Sequence, residues 1–154
     1  TRFDNDEGGV EKGGSRKNFV IRDESADIFE HSVSELSSLS SSNRIVILSQ
    51  IPEAGWDVPN QVFKLRLSGV YDGQLTTSYD VYNRQNESIN NWLEALSKRA
   101  NIDVLRVEDL VCSDKTRRCT NVRDNVSFYR DDDHPTPVFS KMIAKRFMQI
   151  VSKQ

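Results

Sequence analysis

The chain has 154 residues, of which 36% are hydrophobic and 29% charged, and its formal net charge is −2. That length suffices for one domain with a buried core, and the near-neutral balance excludes a basic surface for nucleic acid or anionic membranes. No apolar run approaches the about 20 residues that cross a bilayer, and no secretory leader is visible.

Residues 1–18 are rich in Asp, Glu, Gly and Lys, with Gly8-Gly9 and Gly13-Gly14, and read as a flexible lead-in. Residues 19–154 read as the folded part. The missing initiator methionine fits a piece of a longer polypeptide. Phe19-Val20-Ile21 is short and apolar, suited to packing on a core. Asp23 or Ser25 is placed to cap a helix running to about Ser40. Ile28, Phe29, Val33, Leu36 and Leu39 or Ser40 repeat at helical spacing. His31 falls off that stripe and reads as solvated. The serine-heavy stretch 37–42 marks the helix exit.

Ile45-Val46-Ile47-Leu48, within Arg44–Gln50, predicts a strand buried on both faces. Pro52 ends it. The loop Pro52–Pro59 then lies at the strand's carboxyl end, where open α/β sheets bind ligands. Trp56 in that loop has two readings. It contacts substrate as an acyl-pocket or sugar-stacking residue, or it covers the edge of the core, which is the more ordinary role. Residues 61–78 read as a loop insertion with at most a short strand or helical turn, because Gly69 and Gly73 interrupt a loose alternation. Tyr79–Lys98 reads as one helix, with Tyr82, Ile89, Leu93 and Leu96 on one face and Trp92 beside them. Ile102–Val107 is a second buried strand, expected parallel to the first.

Cys112 and Cys119 are the only cysteines. Four-cysteine zinc is excluded, and no histidine lies between them. A disulfide or a pair of reduced structural thiols accounts for them, and a disulfide would imply an oxidising compartment. Pro137 opens a last helix reaching about residue 152. Val138, Phe139, Met142, Ile143, Phe147, Ile150 and Val151 form its apolar face, with Met142 and Met148 as packing residues. Lys141, Lys145, Arg146 and Lys153 point outward.

Between these elements runs Tyr129-Arg130-Asp131-Asp132-Asp133-His134-Pro135-Thr136-Pro137. An Asp three residues before a His, in a tight loop feeding a helix, supplies two members of an acyl-transfer triad: the Asp fixes the imidazole tautomer, and the His takes a proton from the nucleophile. Two other readings stay open. Charge runs are usually solvated, and acidic residues beside a histidine also suit a metal. The metal reading is the weaker, since adjacent residues do not readily converge on one ion and no distant His or Cys completes a site.

The loop resembles the last conserved block, Asp-x-x-His, of SGNH (GDSL-like) esterases and acetyltransferases, matched here by Asp131 and His134. It is closer still to one branch, the SGNH domain fused behind the membrane acyltransferase-3 domain of bacterial O-antigen and polysaccharide O-acetyltransferases. That branch usually has a leucine and Ser-Pro after the histidine, where this chain has Pro135 and Thr136-Pro137. Val46–Glu53 resembles the branch's strand followed by Pro-Glu, and Asp109–Cys119 its paired-cysteine loop. The likeness runs from about Phe19 onward. The nucleophile block Gly-Asp-Ser does not occur, and Gly14-Ser15 follows no strand.

The resemblance implies an α/β fold, a three-layer sandwich around a parallel sheet, incomplete in this chain. It implies that the parent moves an acyl group, expected to be acetyl, onto a sugar hydroxyl of a surface polysaccharide or lipopolysaccharide. His134 would be the base and Asp131 its orienting acid. This chain alone is expected to be inactive and to bind no cofactor, with acyl-CoA as the parent's donor. The implied partners are the upstream part of the domain, a membrane acyltransferase domain and a carbohydrate acceptor. An open sheet edge would also permit dimerisation. The implied place is the periplasmic or extracellular side of a bacterial inner membrane. The competing readings are a noncatalytic carbohydrate- or partner-binding module on the same scaffold, and half of a carbohydrate esterase.

Overall fold

A computed structural model describes the backbone of residues 23–152 and the side chains from Glu30 to Ser152. The expected lead-in, the Phe19-Val20-Ile21 segment, the capping of the first helix, the packing of Ile28 and Phe29 and the direction of Lys153 lie outside the described residues.

Helix α1 (Asp23–Ser40) leads into strand β1 (Ile45–Leu48), and β3 (Ile102–Leu105) pairs with β1 in parallel, Ile45 opposite Ile102 and Leu48 opposite Leu105. Two β-branched runs separated by helices make this parallel α/β unit. His31 stands in solvent on α1, 4.0 Å from Glu35. Ser40, not Leu39, ends the helix's inward face: Ser40 is buried and Leu39 exposed. At the amino end of the strand pair, Arg44 Nε donates to Asp103 Oδ2 at 2.7 Å. Its Nη2 donates to the Ile150 carbonyl at 2.8 Å, so one guanidinium ties both strands to the carbonyl end of the last helix.

The expectation that β1 is buried on both faces is corrected. Ile45, Val46 and Ile47 are half-buried, and Leu48 is exposed. A continuous apolar run normally marks a strand with neighbours on both sides, but among the described residues β1 has one ladder partner.

Two further corrections concern helices. Residues 58–67 form α2 (Val58–Leu67), not a loop. Asp57 caps it, accepting from the Asn60 N–H at 2.7 Å, and Pro59 stands in its first turn. Only Val58, Val62 and Leu65 face the core, so the apolar stripe is narrow. The expected single helix over 79–98 is two, α3 (Tyr79–Gln85) and α4 (Glu87–Ser97). Asn86 breaks it: its backbone N–H and side-chain amide both donate to the Tyr82 carbonyl, at 3.0 and 2.9 Å. Tyr82, Leu93 and Leu96 are buried as their spacing predicts.

A second sheet is present, of which the sequence suggests no more than a short strand within 61–78. β2 (Leu75–Ser78), β4 (Cys112–Ser113) and β6 (Val126–Ser127) each pair antiparallel with β5 (Arg118–Arg123). Cys112 and Cys119 sit directly opposite each other on β4 and β5 and are bonded, which settles the choice left open above. Asp124 and Asn125 turn β5 into β6 with φ of 51° and 65°, the left-handed geometry of a two-residue hairpin, which Asp and Asn tolerate. The fold is therefore α/β, with a parallel strand pair and an antiparallel sheet.

Helix α5 (Pro137–Val151) closes the core. Phe139 is fully buried, and Met142, Ile143 and Ile150 pack against the same cluster. Val138, Phe147 and Val151 are substantially exposed, so the inward stripe is narrower than the periodicity suggests. Met148, expected to pack, is 60% exposed.

Candidate active site

The segment from Tyr129 to Thr136 is a loop pinched at its base. Tyr129 and Pro135 form an isolated antiparallel bridge, and the Arg130 N–H donates to the His134 carbonyl at 3.0 Å. Just outside the pinch, the Thr136 N–H donates to the Phe128 carbonyl at 2.9 Å, while the Thr136 hydroxyl donates to the Ser127 carbonyl at 3.0 Å and caps α5. Pro135 at the base and the Thr136 cap beside it set the loop's exit. Below it, the Tyr129 and Phe139 rings, both fully buried, meet edge to face at 5.6 Å.

The same loop is fastened to the segment that follows β1. The Ala54 N–H donates to the Asp132 carbonyl at 2.8 Å, and the Val58 N–H to the Asp131 carbonyl at 3.1 Å. The buried Tyr129 hydroxyl donates to the Pro52 carbonyl. Burial pushes that phenol's pKa well above its ordinary value, so it stays a donor. The acidic loop thus lies against the carboxyl side of the parallel pair. Trp56 belongs to the segment it rests on. Trp56 is 6% exposed within the main core cluster, so of its two readings the core cover describes where it sits.

Within the loop, the Asp131 carboxylate divides its oxygens. Oδ1 accepts from the backbone N–H of His134 at 2.8 Å and of Asp133 at 3.2 Å. Oδ2 is hydrogen-bonded to His134 Nδ1 at 2.9 Å. These bonds favour the charged carboxylate, the His134 N–H most, and hold its pKa below the ordinary range. The His134 side chain is 60% exposed. A proton on Nδ1, bonded to Asp131, leaves Nε2 as the basic nitrogen.

The two other aspartates play parts different from that of Asp131. Asp131 sets the loop through its own carboxylate, whereas Asp132 contributes its main-chain carbonyl. Asp133 Oδ1 reaches 2.7 Å from the same His134 Nδ1. Asp131, Asp133 and His134 therefore bring potential ligand atoms within 4.8 Å of one another. Neighbouring residues converge here because the loop is pinched. An ion in that trio would need the Nδ1 lone pair, while the hydrogen bond to Asp131 places the proton there. The nitrogen serves one role or the other, and the backbone N–H groups on Asp131 Oδ1 favour the hydrogen-bonded arrangement.

A second polar cluster escaped the sequence reading. Glu108, in the short 3-10 turn Glu108–Leu110 after β3, is 5% exposed and accepts from the Ser49 hydroxyl. Ser49 Oγ in turn accepts from the Val107 N–H at 2.8 Å. Arg106 Nη1 lies 3.7 Å from Glu108. The Tyr82 hydroxyl donates to the Gln50 carbonyl at 3.1 Å; burial, helped by the Glu108 charge, pushes its pKa far up. The register was the available signal: residues just past two parallel strands in register must lie side by side.

Among the described residues, no helix is long and apolar enough to cross a membrane. Compared with known protein families, residues 2–149 match the family described as "SGNH domain (fused to AT3 domains)". Neither the curated proteins nor the solved structures contain a match.

Proposed function

Because the chain belongs to the SGNH domains fused to acyltransferase-3 (AT3) domains, we propose that it supplies the acid–base half of an O-acyltransferase site. The observation carrying this reading is an exposed imidazole whose Nδ1 is held by Asp131. In the parent, His134 Nε2 takes the proton of a serine hydroxyl as its oxygen attacks the acyl carbonyl, and returns it to the leaving group. The resulting acyl-serine is attacked by a sugar hydroxyl, whose proton passes to Nε2 and then to the departing serine oxygen. No Gly-Asp-Ser occurs in this chain, so the serine and the oxyanion donors come from elsewhere in the parent, and the chain alone does not turn over esters. The acyl group is acetyl, drawn from acyl-CoA through the AT3 domain, and the acceptor is a surface polysaccharide or lipopolysaccharide. The Cys112–Cys119 disulfide supports a place on the oxidising, extracytoplasmic side of the membrane. Among the described residues β1 has one ladder partner, and its other edge would be covered by upstream chain or by a second copy.

The test is the acetyl content of the surface polysaccharide in cells whose complete parent protein carries His134→Ala. Loss of acetylation with normal protein level is the expected result. Retained acetylation would reject the base assignment and favour a carbohydrate-binding module.

A further inference from the structure

His134 has two carboxylates at one nitrogen. Asp131 Oδ2 lies 2.9 Å from Nδ1 and Asp133 Oδ1 lies 2.7 Å from it. A neutral imidazole protonated at Nδ1 has one hydrogen to donate there, and the hydrogen bond runs to Asp131. The two acids are not equivalent. Asp131 is clamped by two backbone N–H groups. Among the described residues, the close polar contact of the Asp133 carboxylate is with Nδ1. The loop is also held by bonds that need no Asp131 side chain: Ala54 to the Asp132 carbonyl, Val58 to the Asp131 carbonyl, and Arg130 to the His134 carbonyl. Those bonds continue to hold the loop's backbone if Asp131 loses its charge.

We infer that Asp133 is a second positioning residue for His134, holding the Nδ1–H tautomer when Asp131 cannot. The inference builds on the reading of His134 as the base. Asp131→Asn keeps an Oδ1 acceptor for the two backbone N–H groups, so the loop clamp survives that substitution. What changes is the group facing Nδ1, which becomes an amide donor that favours the opposite tautomer. Asp133 then offers the acceptor that keeps the proton on Nδ1. With both acids neutral, no anion remains at that nitrogen.

The experiment is nitrogen-resolved NMR of the imidazole tautomer at about pH 9, above the ordinary imidazole range. It uses the 154-residue chain as wild type, Asp131→Asn, Asp133→Asn and the double variant. His31, solvated on α1, is the internal reference. The expected result is the Nδ1–H form in the wild type and both single variants, and the Nε2–H form in the double variant. If Asp131→Asn alone already matches the double variant, Asp133 does not hold the ring and the inference fails. It fails equally if the double variant keeps the Nδ1–H form. In the complete parent, Asp131→Asn should cost about 10- to 100-fold in rate, with the double variant nearing the about 10^4-fold loss of an unsupported triad aspartate. The tautomer needs no nucleophile. A positive NMR result with acetylation retained by His134→Ala would therefore reject the proposed function and leave the sharing of His134 standing.

Discussion

Two polar clusters flank the segment that follows β1, and they are built on opposite plans. Ser49, Glu108 and Arg106 form the inner one. Glu108 is buried, the Ser49 hydroxyl both donates and accepts, and the cluster joins the ends of the two parallel strands. Asp131, Asp133 and His134 form the outer one, on a fastened backbone with an exposed ring. A buried cluster whose groups are satisfied by one another is structure, since any unpaired member would be costly. An imidazole held at one nitrogen and open at the other is available for chemistry. The comparison predicts that damage to the inner cluster appears as lost stability and damage to the outer one as lost activity.

Of the two clusters, the larger stability effect is expected from Glu108→Ala. It strips Ser49 of its acceptor and removes one of the two carboxylates beside Arg106, which keeps Glu94 and Asn90, at a cost of about 1–3 kcal/mol. Urea denaturation of the 154-residue chain checks this, and a cost within error of zero would break the comparison. Reduction of Cys112–Cys119 has an effect of similar size. The bond closes a short loop, with a sequence separation of 7, and by chain entropy its loss is expected to cost about 2–3 kcal/mol. The same urea curves with and without reductant measure it. Because β5 carries the hairpin that leads into the acidic loop, amide exchange there should rise on reduction while β1 and β3 stay protected.

The outer cluster enters stability mainly through pH. The pKa of Asp131 is lower in the folded chain than its ordinary value. Its contribution is therefore fully present above the unfolded carboxylate range and is lost as pH falls through the folded value. NMR titration should give Asp131 a midpoint below ordinary aspartate, and removing the His134 ring should shift it only slightly, because the backbone N–H groups are the leading cause. The smallest effect belongs to His134→Ala, expected to change stability by no more than about 0.5 kcal/mol, as for a surface side chain.

How much of this was legible depended on whether the residues advertised their setting. Ile45–Leu48 is an apolar run and Ile102–Leu105 is apolar except for Asp103, and both were readable as parallel strands. The Asp131–His134 loop was readable because Pro135, Thr136 and Pro137 fix its exit. The antiparallel sheet was not, since β5 reads Arg-Cys-Thr-Asn-Val-Arg and its strands are two to six residues long. Its pairing is set by distant neighbours more than by local pattern. Asp124-Asn125 was a usable hairpin signal. Helix α2 was hidden by a narrow apolar stripe, though Asp57 and Pro59 announced its start. Glu108 looked like a surface acid, and only the register of β1 with β3 brings it under Ser49. Asp133 was readable as a charge but not as a partner of Nδ1, because that contact depends on how tightly the loop is pinched.

The most direct measurement is the acetyl-ester hydrolysis rate of the purified complete protein with His134→Ala, beside a melting curve of the same sample. The account predicts a rate lowered by about 10^3- to 10^4-fold or more with an unchanged melting temperature. A rate close to that of the unsubstituted protein would contradict it and return the acidic loop to a solvated run of charge.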